Sequence, residues 1–306
     1  MNLPHGPMKE TLQSPNLEDR TSNPSAPAVN REVRHLLGKA IHHYRLIDDG
    51  DRIAVAVSGG KDSLLLLWLL RERLKWIPAR YELLAVHVDP GFDSRASEIL
   101  QGYFEQEGFE YRIIHTDHGP RAHSAENREN PCFLCSRLRR KVLFEAAREA
   151  GCAKLALGHH QDDLIETFMI NMLYGGQMAG IVPRQPFFGG EMFVIRPLAL
   201  VPARKVEQLA RRLKLPVTHN ACPSAARGKR LEVRRMLEAL CSSNGKIRGN
   251  IFHAMSNVNL EYLPPPTDAS GRGAANLMEV WLDKTCLPGG GRAASGAAST
   301  PKRARP

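Results

Sequence analysis

The stretch from Ile53 to Leu64, Ile-Ala-Val-Ala-Val-Ser-Gly-Gly-Lys-Asp-Ser-Leu, constrains what this chain can fold into more than any other. Its small and β-branched apolar residues stop abruptly at Ser58-Gly59-Gly60, and a leucine run of helical length follows, so a buried strand turns into a helix. Paired glycines permit a tight turn and a close approach of backbone to ligand, while the N–H groups of the helix's first turn lack carbonyl partners. Such a turn attracts an anion. Lys61 adds a point charge, and Ser58 and Ser63 add hydroxyl donors.

The spacing of the common nucleoside-triphosphatase loop, Gly-x-x-x-x-Gly-Lys-Ser/Thr, is absent. Ser58-Gly-Gly-Lys-Asp-Ser63 instead resembles the pyrophosphate loop of the N-type ATP pyrophosphatases, which cleave ATP between its α and β phosphates and activate a carbonyl oxygen with AMP. The resemblance implies that Ser58, Gly59, Gly60, Lys61, Asp62 and Ser63 bind ATP.

The 306 residues suffice for one large α/β domain with tails, or for two small domains. No apolar run reaches the roughly 18 residues that span a bilayer, and residues 1–30 lack the apolar stretch of a signal peptide, so a soluble cytoplasmic protein without a membrane partner is expected. The formal charge is +10; residues 1–30 contribute −1 and residues 264–306 contribute +3, which leaves +8 on the part between them. That excess suits a polyanion such as RNA, and a solvated basic surface accounts for it equally well.

Residues 1–30 are rich in Pro, Ser and Asn, and the chain beyond Pro264-Pro265-Pro266 is rich in Gly and Ala; disorder is expected in 1–30 and 264–306, with the working domain at 31–263. Apolar residues recur at three and four from Arg31 to Ile47, an amphipathic helix. Strands are expected near 53–57, 81–88, 111–115, 154–157 and 193–195, with helices between them. Residues 116–131 read as an irregular loop, with a helix opening at Ser136. The alternation predicts an α/β fold: an open parallel five-stranded sheet with helices on both faces, of the adenine nucleotide alpha-hydrolase-like kind.

In such sheets ligands bind beyond the carboxyl ends of strands, which puts Asp89, Gly158, Asp162 and Asp163 on one rim with Ser58. Asp89 before Pro90-Gly91 suits either a turn or an adenosine contact, and Asp162 and Asp163 suit either helix capping or a nucleotide with its magnesium ion. Cys132 and Cys135 form the one C-x-x-C. With Cys222 in a loop they are compatible with three ligands of a 4Fe-4S cluster, with zinc completed by His219, or with cysteines that share no site; Cys152 reads as buried packing.

Ser58 to Ser63, Cys132-Phe-Leu-Cys-Ser-Arg-Leu-Arg-Arg140, Leu157-Gly-His-His-Gln-Asp-Asp163, Tyr174-Gly-Gly and Ile195-Arg-Pro-Leu198 together resemble the tRNA 2-thiocytidine synthetase family over about residues 31–263. The resemblance implies a 4Fe-4S cluster on Cys132, Cys135 and Cys222, ATP, and adenylation then thiolation of an anticodon-loop cytidine; from the rim carboxylates, Asp62 and Asp163 are the candidates for Mg2+. Asp62 is either a magnesium contact or a positioner of the nucleotide. It also implies tRNA as partner, a sulfur donor such as a cysteine desulfurase, and a homodimer. Arg137, Arg139, Arg140, Arg230 and Arg234 are, as a set, the expected RNA contacts, although each taken singly reads as readily as part of a solvated helix face, and Arg139 alternatively reaches an ATP phosphate. One departure concerns the distal segment, which in that family commonly reads Pro-Cys-Asn-Leu-Cys-Gly-Ser; here His219 stands where its first cysteine would be. Another thiolated acceptor, or a zinc-stabilised RNA-binding protein without catalysis, are the competing readings.

Overall fold

In the computed structural model, which describes residues 26–218, 222–223 and 228–264, the apolar runs form strands β1 (Asp51–Ala56), β2 (Tyr81–Asp89), β3 (Glu110–His115), β4 (Lys154–Ala156), β5 (Arg184–Phe187) and β6 (Met192–Ile195). They make a six-stranded sheet in the order β3-β2-β1-β4-β6-β5, parallel except where β5 runs antiparallel to β6. The sequence suggests five strands. The sixth, Arg-Gln-Pro-Phe, is half-buried at every position, so it has no alternation to read, and its Pro186 is tolerated because the strand lies at an edge.

Helices cover both faces, as the alternation requires. On one, α1 (Ala26–His43), α2 (Lys61–Arg73), α3 (Arg95–Glu107) and α7 (Ala203–Arg212) enclose a core with Leu37, Leu66, Phe104 and Val206. Helix α2 is buried from Ser63 through Leu70, which is why leucines fill it without an amphipathic period. On the other face α5 (Pro131–Glu149) lays Leu143, Phe144 and Ala147 on Ala54, Val86 and Leu155. A smaller core, Ile165, Phe168, Val233 and Leu237, joins α6 (Gln161–Gly175) to α8 (Lys229–Ser243), with α9 (Ile247–Ala254) against it. Helix α1 starts five residues before the expected Arg31, and the region read as an irregular loop contains the short α4 (His118–Ala122).

From β1 the chain steps outward through β2 and β3, and then returns to β1's other side as β4. The crevice between β1 and β4 is therefore the topological switch point, where ligands of open α/β sheets bind. The chain divides into one unit, Met1–Met255, and a second, Ser256–Pro306, whose described part contains the turn Leu260–Tyr262. No helix among the described residues is long and apolar enough to cross a membrane. The expectations for residues 1–25 and 265–306 lie outside the described residues.

Candidate functional site

Gly59 makes the turn after β1 with φ of 82°, and a Cβ there would collide with the Thr218 side chain, whose backbone N–H donates to the Gly59 carbonyl at 2.9 Å. Gly59 is thereby buried; the open part of the loop is Ser58, with Gly60, Lys61 and Asp62 half-buried. Ser63 Oγ braces the turn by accepting the Ser58 N–H at 3.1 Å and donating to the Gly60 carbonyl at 3.0 Å. Lys61 Nζ lies 3.0 Å from Asp62 Oδ1. Beneath the loop, His87 Nδ1 is 2.7 Å from the Val57 carbonyl. Burial lowers the His87 pKa, so the ring is neutral, Nδ1–H donates, and the buried Nε2 has no hydrogen-bond partner among the described residues.

On the other side of the crevice Gly158 packs on the first turn of α2, where a Cβ would come within 2.9 Å of Ser63 N. His160 caps α6, and Asp163 Oδ2 accepts the His160 N–H at 3.0 Å, leaving Oδ1 3.5 Å from Arg230. Asp162 turns away: its oxygens accept from the Ala203 N–H at 2.7 Å and from Arg248 at 2.6 Å. Asp89 sits at the rim but is 3% exposed, and its carboxylate accepts from Gly91, Ser97 and His115. Burial opposes its ionised form, yet those hydrogen bonds prevail and hold the carboxyl below its ordinary value.

The crevice opens into a cavity of about 560 Å³ lined by Ser58, Asp62, Ser63, Gly158, His159 and Asp163, with Arg139, Arg140, Arg196 and Arg230 also in its wall. That volume lies in the range of roughly 300–1,000 Å³ typical of small-molecule sites. Arg196 and His159 stand inside two of the motifs that carry the resemblance, but neither has a role legible from the sequence; the readable signal is a charge closing the apolar run Phe193-Val-Ile-Arg196 at a strand's carboxyl end. Arg196 is 5% exposed, donates to the Val182 carbonyl at 2.5 Å and to Gln185, and has no carboxylate partner among the described residues. Burial, then the nearby Arg140, push its pKa down to about 10. Its Nε–H donates to His159 Nδ1 at 3.3 Å, and burial lowers the His159 pKa to about 4, which keeps that nitrogen free to accept. A buried cation without a counter-charge in a cavity wall calls for an anionic ligand.

Helix α5 starts at Pro131 rather than at the expected Ser136. Asn130 Oδ1 accepts the N–H groups of Cys132 at 3.0 Å and Phe133 at 3.3 Å, and Pro131 occupies the first position, where its missing N–H costs nothing. Cys132 and Cys135 thus sit three apart at the start of a helix, on one face. The Cys135 thiol is pushed up by burial, pulled down by Arg139 and pushed up again by Cys222 and Cys132, so the three sulfurs share one neighbourhood with one guanidinium. Cys222 Sγ lies 4.0 Å from His123 Nε2, a histidine the sequence reading passed over; His219 lies outside the described residues. Three thiols beside a cation match the soft donor set of an iron–sulfur cluster, whereas Asp62 and Asp163 offer the oxygens a hard cation prefers. Among the described residues no three His, Cys, Asp or Glu side chains are grouped closely enough to hold a single metal ion. Cys152 is buried in the core, as expected.

Of the arginines expected to meet RNA, Arg139, Arg140 and Arg230 line the cavity. Arg137 pairs with Glu129 at 3.2 Å on the outer side of α5. Arg234 grips the buried Glu166 through two bonds of 2.8 and 3.0 Å, and so fastens α8 to α6.

Residues 26–239 match the family described as a PP-loop domain. The tRNA-cytidine(32) 2-sulfurtransferase of Alkalilimnicola ehrlichii is 39% identical over 262 residues, covering 83% of this chain and 81% of that protein. The tRNA-cytidine(32) 2-sulfurtransferase of Geobacter sulfurreducens is 37% identical over 236 residues, covering 76% and 92%. Among solved structures, the U34-tRNA thiolase NcsA from Methanococcus maripaludis with its 4Fe-4S cluster superposes with a TM-score of 0.64 at 24% identity, covering 86% of this chain and 90% of that one, which shows a common fold.

Proposed function

The chain belongs to the PP-loop family and, within it, to the tRNA-cytidine(32) 2-sulfurtransferases, and from that premise we propose that it is a cytoplasmic, ATP-dependent enzyme that replaces O2 of an anticodon-loop cytidine by sulfur. The observation that supports this reading most is Arg139: it lines the cavity with Ser58 and Asp62, and it acts electrostatically on Cys135 in company with Cys132 and Cys222. This supports a reading in which the phosphate loop and the sulfurs serve one reaction.

ATP is held with its β and γ phosphates at the first turn of α2, by the amides there, Lys61 and the hydroxyl of Ser58, while Ser63 braces the turn. Asp62 and Asp163 would hold Mg2+ against those phosphates. Cytidine O2 attacks the α-phosphorus, the bond to the bridging oxygen breaks, and pyrophosphate leaves; Arg139 and Arg196 face the charge that develops. A sulfur nucleophile at the sulfide oxidation level then attacks C2, the C2–O bond breaks, and AMP departs with no net oxidation or reduction. Cys132, Cys135 and Cys222 would hold a 4Fe-4S cluster, which would supply that sulfur. The low His159 pKa leaves that ring neutral, so it orients Arg196 without adding charge to the wall. The target base has to be unstacked to enter, which a single-stranded loop permits. The sulfur comes from a donor such as a cysteine desulfurase, whose persulfide sulfur an external two-electron reductant brings to the sulfide level before it attacks C2.

Two measurements test the proposal. Loss of 2-thiocytidine from the tRNA of a deletion strain is expected, and unchanged 2-thiocytidine overturns the substrate. Anaerobically purified protein should be brown with about four irons, as a 4Fe-4S cluster requires, and Cys222→Ala should remove the colour; a colourless protein with one bound zinc overturns the cluster.

A further inference from the structure

On the outer side of α5, away from the loop, lies a second cavity of about 390 Å³. Arg137, Lys141, Phe144 and Arg148 line it at helical spacing, and Arg140, which also lines the first cavity, joins the two. Against these cations it holds one carboxylate, Glu145, at 3.8 Å from Lys141. Arg140 and Arg148 have no ion-pair partner among the described residues.

Phe188 closes the groove from the tip of the β5–β6 hairpin. Its ring is 59% exposed, edge-on to buried Phe144 at 5.3 Å, and its φ is 51°, followed by Gly189 at 68° and Gly190 at 99°. Left-handed backbone at an aromatic residue is strained and persists where the surroundings impose it. A hydrophobic core would hide such a ring; here the strained turn leaves it exposed in the wall of a groove that guanidinium and ammonium groups also line.

We propose that this groove seats a nucleotide next to the target in the bound RNA loop, its base stacked on Phe188 and its phosphate on Arg148 and Arg140. This rests on the tRNA reading above. Cations that follow a backbone and an aromatic face that takes any base are the two parts of a single-strand site. The shared Arg140 puts the groove one step from the cavity where the target base would react, so the stacked neighbour holds the loop open.

The test compares tRNA affinity, with its salt dependence, for the full chain and for Phe188→Gly and Arg148→Gln. Glycine relaxes the left-handed turn, so its loss of affinity cannot come from a strained hairpin, and an unchanged melting temperature verifies the fold. Phe188→Gly should weaken tRNA binding roughly 5- to 100-fold, the range for loss of a stacking aromatic, and Phe188→Trp should restore it. Arg148→Gln should lower the slope of log affinity against log salt by about 0.7, one single-strand phosphate contact. Unchanged affinity in Phe188→Gly while the wild type still thiolates tRNA overturns the groove and leaves the enzyme. If the wild type ignores tRNA but binds a single-stranded oligonucleotide through Phe188, the groove stands and the tRNA reading falls.

Discussion

At Gly59 two independent constraints coincide, a φ of 82° and no room for a Cβ beneath Thr218. Gly59→Ala should therefore cost at least about 1–2 kcal/mol from backbone handedness alone, and should abolish ATP binding by isothermal calorimetry, because relief of the collision moves the loop off Thr218. His87 gives a pH dependence whose sign follows from burial. Its folded pKa lies below the ordinary 6.5, so the unfolded chain takes up a proton that the native state refuses. The stability this confers is present above pH 6.5 and is lost as pH falls from 6.5 through the folded value. Asp89 and the ring of His115 and guanidinium of Arg139 also face it, with Asp89 favouring the charge and the other two opposing it. In His87→Asn the amide N–H can still reach the Val57 carbonyl but cannot titrate, so denaturant melts should show a flatter decline below pH 6.5; an equal slope in both proteins would assign the decline to other groups.

The start of α5 shows what was legible at the level of elements and what was not. Asn130-Pro131 is a readable cap and first helical residue, yet a C-x-x-C draws the eye toward a metal loop, and the helix was expected five residues late. The cap supports the cysteines directly, through the Cys132 N–H. Asn130→Ala should cost about 1 kcal/mol and, beyond that, lower the iron retained per chain, read by iron and sulfide analysis after anaerobic gel filtration. A loss of stability with full iron content would make the cap merely structural. Strand β5 was illegible for another reason: Pro186 and uniform half-burial erase the alternation by which an edge strand is recognised. The loop after β1 and the acidic turn after β4 were legible because each depends only on its own few residues. Arg196 was legible only as an oddity, since its meaning comes from a cavity that eight other elements help to wall.

Over the whole first unit, the parts of the site come from both sides of the switch point: the β1 loop and the β4 turn flank it, α5 and α8 supply cations, and Thr218 reaches over the loop. No single element holds the ligand, so binding should couple to unfolding of the unit as a whole rather than to one segment. A ligand present at a hundred times its dissociation constant stabilises the native state by about 2.7 kcal/mol. At roughly 2–4 °C per kcal/mol for a domain of about this size, ATP with magnesium should raise a single melting transition by roughly 5–10 °C. Cys222→Ala should keep that shift while losing the cluster, because its sulfur is not in the phosphate loop, whereas Gly59→Ala should lose the shift altogether. Two transitions, with ATP moving only one, would mean that the crevice is not shared across the sheet. The linkage of nucleotide and sulfur chemistry through Arg139 would then have to be sought between molecules rather than within one.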